Sequence, residues 1–188
     1  MKDLENSTER KITSTVRVVQ KEDKEYLLST IEAAATAIEK IADSISSLNF
    51  ISDVDYSKDG VVKLFQFQKN SSANSHFCDT QHALALRLSS RANFAFSAIQ
   101  DLCQDETDKV VMIWSIKLQH LSWSERESQY RLETMSTLRL KRKAEKEIAK
   151  IKILLESITV YSRMASKLRQ DGDSMYRTIS LASSMGEL

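Results

Sequence analysis

Seven basic side chains crowd the fourteen residues from Arg139 to Lys152: Arg139, Lys141, Arg142, Lys143, Lys146, Lys150 and Lys152, opposed only by Glu145 and Glu147. The local charge is +5 in a chain whose formal net charge is +1. Ammonium and guanidinium groups clustered in this way suit an anionic surface. Near anionic lipid each contributes roughly 1 kcal/mol, attenuated by salt. Nucleic-acid phosphate is the weaker target, because no aromatic side chain interleaves the cluster to stack on bases. The plain alternative is a solvated helix face whose lysines pair with glutamates at helical spacing.

Other chemistries find less support. His76, Cys78 and His82 lie close together, but zinc wants four such ligands, and Cys103 and His120 show no paired spacing. No metal site is expected. There is no Gly-rich loop, nucleophile elbow or HExxH pattern. Carboxylates such as Asp105 and Glu106 fall where the first turn of a helix would use them as caps. The sequence therefore predicts no catalytic residue, no cofactor and no small-molecule substrate.

The elements that carry the basic cluster must be helices. From Val61 to Asp171 the chain runs 111 residues without glycine or proline, and it holds three glycines and no proline in all. Those two residues punctuate most turns, so long helices joined by polar bends are expected. At 188 residues the chain fits one domain. No stretch approaches the roughly 18 apolar residues of a membrane span, and the charged N-terminus lacks a secretory core. Two cysteines make no disulfide framework, and a cytoplasmic setting is predicted.

Residues 1–20 read as a flexible polar arm, and 21–188 as one helical domain. Leu28, Ile31, Ala35, Ile38, Ala42 and Ile45 form a heptad seam in which large and small residues alternate. Bends are expected over Asn49–Gly60 and at the polar Lys69–Ser75 stretch. The next seam is read as Phe77, Leu84, Leu88, Ala92, Ala95, Ile99 and Leu102, followed by a bend at Gln104–Asp108. Helical signal then runs to about Leu168, on the order of 90 Å if unbroken. Trp114, Leu118, Leu121, Leu132 and Met135 share one register, interrupted by Glu125 and Ser128. Ile148, Ile151, Leu155, Ile158 and Ala165 share another. The two do not join at a strict seven-residue repeat, which places a helix–helix tip between Arg139 and Glu147; one continuous helix with a stutter is the alternative. Gly172 reads as a further bend. Trp114, Trp123, Tyr130, Phe94 and Phe96 read as core or interface residues.

The order of an Ala-rich first helix, an acidic Gln-Asp-Glu-Thr-Asp stretch, a long second helix, a basic tip and a third helix resembles the C-terminal BAR region of the sorting nexins. Ser136-Thr-Leu-Arg-Leu-Lys-Arg-Lys-Ala-Glu-Lys-Glu-Ile148 is similar to the basic end of the second helix in that family, and Gln104–Tyr130 to its beginning. The likeness covers about residues 25–188 and is one of layout. No phosphoinositide-binding PX domain precedes the helices, the third helix is short, and Asn49–Ser75 interrupts the first. The resemblance implies an all-α fold of long antiparallel helices in a three-helix coiled-coil bundle, paired through its seams as a homo- or heterodimer. It further implies peripheral binding to phosphoinositide- or phosphatidylserine-rich endosomal membranes, with curvature sensing or tubulation in vesicle trafficking. Arg139, Lys141, Arg142, Lys143, Lys146 and Lys150 would contact lipid. A coiled-coil adaptor that binds proteins only is the runner-up. A helical toxin or secreted effector is third, since no apolar insertion hairpin is read in the sequence.

Overall fold

The computed structural model describes the backbone of residues 2–48 and 60–184, and the side chains in those ranges except residues 2–22, 61–62 and 183. All regular structure in these ranges is helical: α1 spans Lys2–Ser46, α2 Gly60–Lys117 and α3 Trp123–Ser184. The chain is all-α. Helix begins at Lys2, so the segment expected as an arm is helical and continuous with the rest of α1. The bend expected over Asn49–Gly60 lies outside the described residues except for Gly60, the first residue of α2.

The chain forms two compact units, each holding a stretch of every helix. One comprises Met1–Ala35 and Ser89–Lys150, the other Thr36–Leu88 and Ile151–Leu188. On α1 the buried positions include Ile31, Ala35, Ile38 and Ile45, as the heptad pattern predicts, with Ala34 and Ile41 beside them. Each fully buried isoleucine contributes roughly 1.5–3 kcal/mol relative to exposure.

On α2 and α3 the apolar pattern selects only part of the inward-facing set: Ala92, Ala95, Ile99, Ile151, Ile158 and Ala165 are buried as expected, as is Leu118 just past α2, and other positions differ. Leu64, Ser71, Cys78, Ala85, Ala92 and Ile99 are buried at strict seven-residue intervals, with Ser75, Ser89 and Cys103 adjoining them. On α3 the same interval buries Thr137, Ala144, Ile151, Ile158 and Ala165. Gly172 continues the series. Small side chains dominate both seams, which lets helix backbones approach closely. Phe77 and Leu84, expected in the seam, are exposed, as are Leu132 and Met135.

This register removes three expected bends. Lys69–Ser75 is helical throughout. There Ser71 Oγ donates to the Gln68 carbonyl at 3.0 Å, the local bond by which a buried serine hydroxyl is satisfied. Gln104–Asp108 is likewise helical, with Gln104 Nε2 donating to Asp108 Oδ1 at 2.8 Å. Arg139–Glu147 lies inside α3. No phase slip exists there, because Thr137 and Ala144 carry the Ile151 register back through the basic segment. The apparent slip came from counting the exposed Leu132 and Met135 as seam. Gly172 is not a bend either: it sits in α3, and a Cβ there would lie 3.1 Å from Ser71 Oγ and 3.2 Å from Phe67 Cε1.

The reversal between α2 and α3 occurs instead at Leu118–Ser122. Leu118 N–H still reaches the Trp114 carbonyl at 2.9 Å, and Leu121 N–H closes a tighter turn on the Leu118 carbonyl at 3.0 Å. Ser122 then opens α3. Its N–H donates to Glu125 Oε2 at 3.0 Å, and its hydroxyl to the same oxygen at 2.6 Å. Glu125, three residues past the cap, supplies the acidic arm of a capping box, and these bonds hold its carboxyl below the usual range.

Candidate functional site

With the turn relocated, the basic cluster occupies the middle of a continuous helix. Residues 139, 143, 146 and 150 recur three and four apart and so lie along one side of α3. Arg139, Arg142, Lys143 and Lys146 are exposed, and Lys150 is half-buried. Lys143 is engaged within its unit: its Nζ lies 2.6 Å from Glu32 Oε1 of α1. That bond and the Glu32 charge raise its pKa. Lys141 departs from the group. It is half-buried, one residue-triplet before Ala144 on the seam side, and its charge acts on the Cys103 thiol. The structure thus separates the six expected lipid contacts into an outward set (Arg139, Arg142, Lys146), a bridged residue (Lys143) and two partly covered ones (Lys141, Lys150).

A second polar constellation was hidden in the sequence. Lys24 is 7% exposed at a core position of α1, and its ammonium donates to Glu106 Oε2 of α2. Thr137 Oγ1 of α3 donates to the same oxygen at 2.6 Å. One carboxylate therefore joins all three helices of this unit. Burial pushes the Glu106 pKa up, but the bonds from Lys24 and Thr137 and the charges of Lys24 and Lys109 outweigh it, leaving the group below its ordinary range. The sequence alone suggests a helix-start acid at Glu106; its seven-residue spacing from Ile99 is the signal that places it in the seam.

In the other unit, α2 and α3 pair with antiparallel register. Gln68 Nε2 donates to Asp173 Oδ1 at 3.0 Å, Ser162 Oγ to Asp79 Oδ1 at 2.9 Å, and Thr159 Oγ1 lies 3.2 Å from His82 Nε2. His82 thus serves packing. Cys78 and Cys103 are free and buried, and burial raises both thiol pKa values. Among the described residues no group of three His, Cys, Asp or Glu could hold a metal ion, and no helix is long and apolar enough to cross a membrane.

Comparison with protein-family models, with curated proteins and with solved structures finds no match. The likeness to sorting-nexin BAR regions accordingly rests on sequence layout alone, and the structure keeps neither the bend at Gln104–Asp108 nor the tip at Arg139–Glu147 that belonged to that layout.

Proposed function

We propose that the protein is a peripheral membrane-binding scaffold of BAR type, acting as a dimer on the cytoplasmic face of endosomal membranes. The observation that carries this reading is the outward basic set of Arg139, Arg142 and Lys146 on a continuous helix, free of the seam that holds the helices together. A rigid element presenting cations in one line suits a sheet of anionic headgroups, and binding of this kind weakens with salt. The endosomal placement and the curvature role come from the resemblance.

Co-sedimentation with vesicles containing phosphatidylserine tests it. Arg139→Gln, Arg142→Gln and Lys146→Gln together remove about 3 kcal/mol at low salt, a loss of roughly two orders of magnitude in affinity. These residues are better targets than Lys141 or Lys143, whose change would also disturb the seam or the Glu32 bridge. Wild-type protein that stays in the supernatant, or a triple variant that pellets equally well, refutes the membrane reading. The protein-only adaptor would then stand, supported by the large apolar side chains left exposed on α2 and α3.

A further inference from the structure

The α2–α3 turn, whose flanking Trp114 and Trp123 the sequence reads as core or interface residues, has an apolar exterior. Met112 is 64% exposed, Ile116 68% and Trp123 75%. Trp123 borders a cleft of about 400 Å³, lined among others by Val111, Trp114, Arg126, Tyr130 and Arg131. That volume falls within the range of small-ligand sites. Its walls are apolar and aromatic, with two guanidinium groups, the Ser115 side chain and the Glu127 carboxylate. Arg131 is tied to Glu127 at 2.7 Å. Arg126 is different: its Nε is buried and, among the described residues, has no hydrogen-bond partner. A buried charged donor without an acceptor costs free energy; the same side chain lines the cleft, where an anionic group would offset its charge.

We propose that this cleft binds one anionic lipid from a bilayer. Its phosphate or carboxylate oxygen accepts from Arg126, and its apolar portion lies against Trp114, Trp123 and Tyr130. Met112, Ile116 and Trp123 rest in the boundary between headgroups and acyl chains, where tryptophan is favoured. Lys109, Lys117, Arg126 and Arg131 against Glu125 and Glu127 give the segment from 109 to 131 a positive balance suited to that surface. The inference deepens the peripheral-membrane reading and rests on it, but uses a different contact from the basic stripe.

The chain has only two tryptophans, Trp114 and Trp123, and both line the cleft, so intrinsic fluorescence reports on this site alone. The full chain is titrated with phosphatidylserine/phosphatidylcholine vesicles, with and without brominated acyl chains, and separately with monomeric oleate and with oleyl alcohol. The expected result is a blue shift and bromine quenching with vesicles. Oleate binds at least about tenfold more tightly than oleyl alcohol, and Arg126→Gln weakens oleate about tenfold or more. The stripe variant at Arg139, Arg142 and Lys146 keeps its oleate response while losing vesicle binding. Vesicles that pellet the wild type without shifting or quenching its emission overturn the inference and leave the stripe reading intact. Equal affinity for oleate and oleyl alcohol overturns the anion site, whatever Arg126→Gln does to folding. A response to oleate but none to vesicles overturns the bilayer as the source.

Discussion

Glu106 occupies a position where the seven-residue pattern asks for an apolar side chain, and Lys24 faces it from α1. Burying such a pair gains little over a hydrophobic one, but breaking it is costly because the remaining charge is left uncompensated. Glu106→Gln is therefore expected to destabilise by about 2 kcal/mol in urea denaturation, whereas Lys24→Met with Glu106→Leu recovers most of that loss. The pH dependence follows from the lowered pKa. Stability from Glu106 is fully present above the ordinary carboxylate value of 4.5 and is lost as pH falls below it through the folded-state value. Glu106→Gln flattens that acid limb; an unchanged limb in the variant would show that the carboxylate contributes nothing. The two thiols obey the same logic of burial, and their raised pKa values make them poor nucleophiles in the folded chain.

Among the elements, α1 was legible because its large residues point inward, so apolar periodicity and burial coincide at Ile31, Ile38 and Ile45. The seams of α2 and α3 were legible only in part, at Ala92, Ala95, Ile99, Ile151, Ile158 and Ala165, because small and polar residues carry the rest. Ser71, Ser75, Ser89, Thr134 and Thr137 are buried, and a hydropathy pattern counts each as surface. Leu132 and Met135 then drew the register onto the wrong face and created a tip where α3 is straight through. The true turn carries a readable cue in Ser122-x-x-Glu125, where the carboxylate that looks like a polar interruption of a seam is the capping acid of α3. Close approach at Gly172 gives an element-scale test. Gly172→Leu must displace Ser71 and Phe67, at a cost of roughly 1–3 kcal/mol. A melting temperature at or above wild type would show that α2 and α3 are not in contact there.

At the scale of the whole molecule, net charge is nearly zero while large apolar side chains such as Phe94, Ile153 and Val160 stay exposed. Scattered exposed leucines need no explanation, but exposed aromatic and β-branched residues in this number favour association. Light scattering at micromolar concentration is expected to give twice the chain mass of 21.4 kDa. A stable monomer would remove the dimer and, with it, the BAR architecture. The candidate lipid contacts were legible as a cluster of charge, though not in their roles, because neither the Glu32 bridge nor the covered state of Lys141 leaves a trace in local composition.

The seven-residue repeat of small side chains has a further implication for alignment. With Ser71 level with Gly172 and Glu106 with Thr137, sliding α3 by one repeat would set Cys78 against Gly172 and Ala85 against Ala165. The first exchange replaces one small neighbour, Ala165, by another and is nearly neutral, but the second takes Ile158 away from Ala85, and Ile151 would crowd Ile99 where Ala144 now lies. The displaced alignment is also worse at the polar pairs: Glu106 would face Ala144 and lose the Thr137 hydroxyl, and the Gln68–Asp173, Asp79–Ser162 and His82–Thr159 pairs would part. The information that selects one register is thus spread over several polar pairs and over the alternation of large and small seam residues, and removal of the Glu106 carboxylate alone should lower stability while leaving which residue faces which unchanged.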